Sequence, residues 1–385
     1  MILEVDRWID GTSRTLGSTP DEGYHLIVLI SCHSIYKWPE LSSLSYLKEI
    51  PLINTCWLKP FADYFAQRSV SVRPYCEIAQ IELSQVTSGE GWITKHQLYV
   101  FLDALAKGEG MPEVGFVVGE ILTPDCLGDL GTAMAQANTL GGVIRTFCEL
   151  INRHVEGNHC RLEEAGDGDV WFFNSKSQSP DAGRVIADHA GLMSMINLAR
   201  LVGGGDWYPS KACLQTETTS VYRKLPGLKN CEFEFNQTAA GFSFPAHWLL
   251  RPTKSLVQPD SARSQSPGLL KQGEAVTAKL TLLLKEIIGV GGICPTIKLM
   301  ADLCDTSSRT LHRELKLDGE TYQKILDRVR FEQACIDLTE SKTPVKEIAC
   351  RIGFSGSNNF IRSFKRMSGC TPTQYRQSHS RSSTR

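Results

Sequence analysis

The sequence lacks any C-x-x-C pair, although it contains 13 Cys among its 385 residues. Without clustered thiols there is neither a disulfide framework nor a closed zinc site to read. Scattered thiols fit a reducing compartment. The stretch HVEGNHC places His154, His159 and Cys160 near one another. Their spacing matches no closed four-ligand site, so they read as ordinary surface or loop residues and no metal is expected. Long apolar runs are also missing near the start. LIVLI at 26–30 is the longest there, far short of the ~20 residues a membrane span needs. The opening MILEVDRWID has no basic flank of the kind a secretion signal carries. A cytoplasmic protein with no membrane role is expected. No Ser/His/Asp order, paired-carboxylate motif or phosphate loop stands out, so neither an enzyme nor a cofactor is expected. Gly203-Gly204-Gly205 ends a helical pattern rather than following a strand, which suits a helix stop.

A charge excess of one sign is absent overall, at a net −1, but this hides an asymmetry. Residues 290–385 carry 16 Lys and Arg against 10 Asp and Glu, a net of +6, and the remainder carries 25 against 32, a net of −7. An acidic body joined to a basic end suggests a polyanion partner for that end. The stretch RPTKSLVQPDSARSQSPG at 251–268 has three prolines and four serines, the composition of an exposed linker.

Before the linker, KPFADYFAQ, KHQLYVFLDALAKG, TLGGVIRTFCELINRHV and GRVIADHAGLMSMINLARLV have helical apolar spacing. VWFF, CEFEF and GFSFP read as short strands. This predicts an α+β domain. After the linker the reading is all helix. One helix spans 275–288, closed by Gly289 and Gly291-Gly292. A long helix spans 320–338, with Leu326, Val329 and Ile336 on its buried stripe.

Two short units flank that long helix. In the second, Val345, Ile348, Ala349 and Ile352 fall at i, i+3, i+4 and i+7, one helix face. Gly353 suits a left-handed stop, Phe354 a corner plug, and Ser355 or Ser357 a cap. The next helix, 357–367, gathers Phe360, Ile361, Phe364 and Met367 within about 120°. Asn358, Asn359, Arg362, Lys365 and Arg366 lie opposite. Arg and Asn suit base edges, and Lys suits phosphate. Alone, such a face is equally a solvated surface. The first unit repeats the arrangement, however. Ile297, Met300, Ala301 and Cys304 mark a short helix. Asp305-Thr306-Ser307 forms a turn with Ser307 as cap. Leu311 and Leu315 then anchor a helix that presents Arg309, Arg313 and Lys316, with His312 at the edge of that arc. A helix of about 20 residues between the units spans roughly 30 Å, close to the ~34 Å between successive major-groove faces. The repeat at that spacing favours a pair of DNA readers.

These residues resemble the AraC/XylS family of bacterial transcription regulators. The matching stretches are SSRTLHREL (307–315), PVKEIACRIGF (344–354) and NNFIRSFKRMSGCTPTQYR (358–376). The resemblance covers 269–378 and implies two helix-turn-helix subdomains bridged by a long helix. Two positions depart from the family pattern. Asp305 stands where Gly is usual, and Asp tolerates a left-handed conformation better than most residues. Met367 stands where an aromatic is frequent, which changes packing. Upstream, 113–154 and 206–250 are similar to the arabinose-binding-like effector domain of the ornithine-utilisation and virulence regulators.

The resemblance implies an N-terminal extension at 1–45 of no assigned role and an effector-binding or dimerisation domain at 46–250. The linker follows at 251–268, then a DNA-binding domain at 269–378 and a tail at 379–385. The DNA-contacting set is Ser308, Arg309, His312, Arg313, Lys316, Ser357, Asn358, Asn359, Arg362, Lys365 and Arg366. Expected partners are double-stranded DNA through two adjacent major grooves, a small-molecule effector, RNA polymerase and a second copy in a homodimer. The expected function is sequence-specific transcription regulation, with activation the usual outcome in the family. The alternatives are control by a protein partner and, more remotely, a DNA-repair alkyl-transfer regulator. For the latter, Cys32, Cys56 and Cys76 are too dispersed.

Overall fold

The computed structural model describes residues 50–165, 168–176, 182–217, 219–253, 275–290 and 295–379. The extension at 1–45, the linker after 253, Gly291-Gly292 and the tail after 379 lie outside the described residues.

The N-terminal half is α+β, as its patterning predicts. Helices α1 (Lys59–Ala66), α2 (Arg73–Ala79), α3 (Leu83–Ser88), α4 (Lys95–Gly108), α5 (Val114–Gly119), α6 (Gly128–Met134) and α7 (Leu140–Leu150) precede the main sheet. Among them lie strands β1 (Leu52–Asn54) and β2 (Trp92–Thr94), an antiparallel ribbon. The main sheet holds β3 (Asn158–Glu164), β4 (Asp169–Lys176), β5 (Lys211–Cys213), β6 (Glu232–Glu234) and β7 (Ala240–Pro245), in the order β3-β4-β7-β5-β6. Every pairing is antiparallel except β5 with β6.

Helix α8 (Gly183–Gly203) is the hub, buried on most of its circumference. Its length and hydropathy would suit a membrane span by composition alone, yet 67% of its most apolar window is buried inside the protein. It is a core helix. Helix α5 approaches it closely because Gly115 and Gly119 face it. A Cβ at Gly115 would sit 2.3 Å from the Ile186 carbonyl oxygen. Asn197 of α8 donates to the Gly119 and Leu122 carbonyls, both at 2.9 Å, and so satisfies the end of α5. The expected stop at the glycine run is present, with Gly204 at φ 90°.

The C-terminal half is helical: α9 (Val276–Val290), α10 (Ile297–Leu303), α11 (Ser308–Leu317), α12 (Tyr322–Glu340), α13 (Val345–Arg351), α14 (Ser357–Ser368) and α15 (Pro372–His379). Helix α9 continues through Gly289, which was expected to close it.

The buried stripe of α12 differs from the expectation. Tyr322, Ile325, Leu326 and Val329 are buried in the first half, and Arg330, Ala334, Asp337 and Leu338 in the second. At 100° per residue the buried arc rotates by about 100° between the two halves, because each half packs a different unit. Ile336 continues the first stripe beyond the unit that would cover it and is 46% exposed.

The ribbon joins the two halves. Leu52 and Trp92 sit in the same apolar cluster as Leu280, Leu284, Met300 and Leu303 of the helical half. Ile53 and Ile93, on the other face, belong to the N-terminal core. This is the period-2 alternation of a strand with a different core on each side.

Candidate nucleic-acid interface and ligand cavity

In the first unit, α10 ends at Cys304 and the chain turns through Asp305 at φ 46°. The left-handed turn expected of an Asp in a glycine position is present. Ser307 caps α11, its Oγ accepting from Thr310 N at 3.1 Å. Leu311 and Leu315 are buried, and this points Arg309, His312, Arg313 and Lys316 outward, all exposed, with Ser308 half-buried. Arg313 is held by its neighbour: Nε and Nη2 both donate to Oε1 of the buried Glu314 at 3.1 Å.

The second unit turns through Gly353 at φ 80°. Phe354 plugs the corner, its ring 5.6 Å from that of Phe360. The expected serine cap is not made. Gly356 occupies the cap position in extended backbone, Ser357 is already the first helical residue, and no side chain caps α14. Phe360 and Phe364 are buried, whereas Met367, expected on the core face, is 39% exposed. The final helix supplies Tyr375 against Phe364 instead, ring centroids 5.3 Å apart. Asn358, Asn359, Arg362, Lys365 and Arg366 are all exposed, and Ser357 is half-buried.

Two of these cations are already oriented. Arg362 donates to Asn359 Oδ1 at 2.7 Å, and Asn359 donates to Ser355 Oγ at 3.3 Å. Arg366 lies 3.3 Å from Asp327 of α12. The structure thus brings the two polar sets onto two exposed helix faces. With 19 residues, the bridging α12 is about 28 Å long at 1.5 Å per residue.

The residues that hold the second unit in place were not identified from pattern. Arg330 is buried, donating from Nε to the Ile352 carbonyl at 3.0 Å and from Nη2 to the Gly353 carbonyl at 2.7 Å. Its guanidinium lies 4.7 Å from the Phe354 ring centroid. Arg376 donates to the Leu338 carbonyl at 3.2 Å and the Thr343 carbonyl at 2.6 Å, tying α15 to the end of α12. The available signal was Arg330 falling four residues after buried Leu326, a cation on an apolar face.

In the stretch HVEGNHC, His159 is exposed as its surface reading expects, but His154 differs from it. His154 is 2% exposed, with Nδ1 3.8 Å from Cys56 Sγ, and burial pushes its pKa down to about 4. His159 and Cys160 lie in β3. The cause is the bridge between Val155 and Ile53, which draws this segment under the ribbon. Among the described residues no group of three or more His, Cys, Asp or Glu is arranged to hold a metal ion.

A cavity of about 50 Å³ lies in the N-terminal half, between the sheet, α4, α7 and α8. Its walls are mainly apolar and aromatic, including Trp57, Phe61, Tyr99 and Phe147. Lys95, Asn158 and Asn174 also line it, and all three are buried. Apolar walls with a few placed polar groups are the usual form of a small-molecule site.

Residues 300–378 match the family described as "Helix-turn-helix domain", and residues 70–253 match the "Arabinose-binding domain of AraC transcription regulator, N-term". The ornithine utilization regulator of Pseudomonas aeruginosa is 27% identical over 339 residues, covering 85% of this chain and 96% of that one. The HTH-type transcriptional regulator VqsM of the same organism is 25% identical over 338 residues, covering 83% and 96%. The crystal structure of the transcriptional regulator CdpR from Pseudomonas aeruginosa aligns over 81% of this chain and 98% of that one, at 17% identity and a TM-score of 0.32. With an arabinose-binding-type domain ahead of a DNA-binding helix-turn-helix domain, the chain belongs to the AraC family of transcription regulators.

Proposed function

We propose that this regulator is an activator controlled by a small molecule, and that it reads two successive major grooves with α11 and α14. The carrying observation is the pair of exposed polar helix faces, each opposite a buried apolar face, at the two ends of α12. In the first groove, Arg309, His312 and Arg313 face base edges and Ser308 the backbone. In the second, Asn358, Asn359, Arg362 and Arg366 face bases and Ser357 the backbone. Lys316 and Lys365 neutralise phosphate. Arg presents two donors to guanine and Asn pairs with adenine, whereas Lys acts as a point charge. The Arg362–Asn359 bond presets one such group before DNA arrives.

The cavity supports effector control over control by a protein partner. An effector shifts DNA binding only through different affinity for the two states. RNA polymerase and a second copy of the chain complete the proposed assembly.

An operator selected from random duplex DNA tests the groove reading. Arg362→Ala is expected to weaken binding to it by ~1–3 kcal/mol and to relax preference at one position. Replacing Lys365 is expected to weaken all sequences alike and lower the salt slope by about one. Unchanged affinity in Arg362→Ala refutes the second-groove assignment.

A further inference from the structure

Two residues that line the cavity each carry a buried polar atom with no hydrogen-bond partner among the described residues: the Trp57 indole Nε1 and Asn174 Oδ1. These residues are 9% and 4% exposed. A buried group left unpaired is costly. A site that keeps both fits a molecule offering an acceptor to the first and a donor to the second. The cavity's charge has one sign. Lys95 donates to Asn158 Oδ1 at 2.9 Å, and no carboxylate is among the lining residues. In the β3–β4 register Asn158 faces Lys176 and Asn174 faces Cys160, so the two asparagines are diagonal neighbours on one face, about 7–8 Å apart. The two asparagines stand on the sheet wall, while Leu98, Leu102 and Phe147 supply apolar surface.

The cavity is also linked, through adjacent residues of the chain, to the DNA-binding half. Ile53 lines it, and Leu52 beside it packs among the C-terminal helices. Lys95 lines it, and the preceding Thr94 donates from Oγ1 to the Leu303 carbonyl at 2.6 Å. Val155 lines it, and the following Glu156 pairs with Lys279 of α9 at 2.8 Å, both side chains nearly buried. Three times, one residue faces the cavity and its neighbour is anchored in the first helix-turn-helix region or the helix before it.

We propose that this cavity binds a small 2-hydroxy carboxylate with a short apolar side chain, and that the β1–β2 ribbon carries its occupancy to the first helix-turn-helix unit. The proposal rests on the effector-control reading above. The carboxylate lies against Lys95 and the Trp57 N–H, the hydroxyl donates to Asn174, and the side chain enters the apolar end. The volume of about 50 Å³ corresponds to about four waters at ~10–15 Å³ each, which limits side-chain length. A 2-amino acid would bring an ammonium near Lys95. Ornithine, which gives one relative its name, would bring two cations to a cavity lined by no carboxylate.

The test is binding of 2-hydroxypropanoate to the full chain, read by thermal shift and tryptophan fluorescence. Propanoate, alanine and ornithine are the comparisons. The expected result is saturable binding of the hydroxy acid, at least tenfold weaker for each comparison compound. Asn174→Ala and the cavity-filling Ala190→Leu are each expected to weaken it at least tenfold. The acid is expected to change affinity for the selected operator at least threefold in the unmodified protein. In the double variant Glu156→Gln/Lys279→Met the acid still binds and that change is lost. No saturable binding, or binding unaltered in both cavity variants, overturns the site. An operator response that survives in the double variant overturns the ribbon's role. If another metabolite alters operator affinity and Ala190→Leu leaves that response intact, effector control stands and this cavity is refuted.

Discussion

The first helix-turn-helix unit is secured from the side of the N-terminal domain. Thr94 bonds the carbonyl of Leu303 at the end of α10, and Trp92 and Leu52 share an apolar cluster with Met300 and Leu303. The second unit is secured from within the DNA-binding half. Arg330 of α12 holds the carbonyls of its turn, and Arg376 ties the last helix to α12. Two units with the same sequence pattern thus have different attachments. Among the described residues, a change in the N-terminal domain has a packed route to the first unit, and α12 links it to the second. On the proposed function, the first unit is the adjustable reader and the second the fixed one.

Breaking each attachment separately sharpens this contrast. Trp92→Ala removes a 2% exposed indole from the shared cluster and is expected to cost about 3–5 kcal/mol in urea denaturation. Its effect on DNA is expected in the first half-site. The histidine under the ribbon gives a pH-dependent effect. His154 is held neutral, its pKa lowered from 6.5 to about 4 by burial. The unfolded chain takes up a proton below about 6.5 and the folded chain does not, so stability falls as pH drops from 6.5 towards 4. The loss is on the order of 3 kcal/mol. His154→Gln is expected to flatten the melting-temperature profile in that window, and an unaltered slope contradicts the assignment.

Smaller effects separate the two units. Arg330→Leu leaves the Ile352 and Gly353 carbonyls without their donor, an expected cost of about 2–3 kcal/mol with loss of order in the second unit. Hydrogen exchange should report it in α13 and α14, and equal exposure of α10 and α11 would refute separate attachment. Ser307→Ala removes the cap of α11, for about 1 kcal/mol, confined to the first unit. Ser357→Ala has no equivalent cap to lose.

The helical half was legible in the sequence because amphipathic spacing is a local signal. Leu311, Leu315, Phe360 and Phe364 alone orient both polar faces. Ile336 was misplaced because a single stripe was carried along a helix that serves two partners. His154 and the ribbon were missed because three-residue strands carry almost no periodicity, and their burial depends on chain far away. Arg330 was missed for the same reason, since its partners lie 22 and 23 positions on. The cavity was not legible, because its lining comes from elements spread between Ile53 and Ser194.

Hydroxyl-radical footprinting on the selected operator tests the central claim most directly. Two protected patches are expected about 10–10.5 bp apart, with Arg309→Ala weakening one patch and Arg362→Ala the other. A single patch, or the same base pairs lost in both variants, would contradict a two-groove reader.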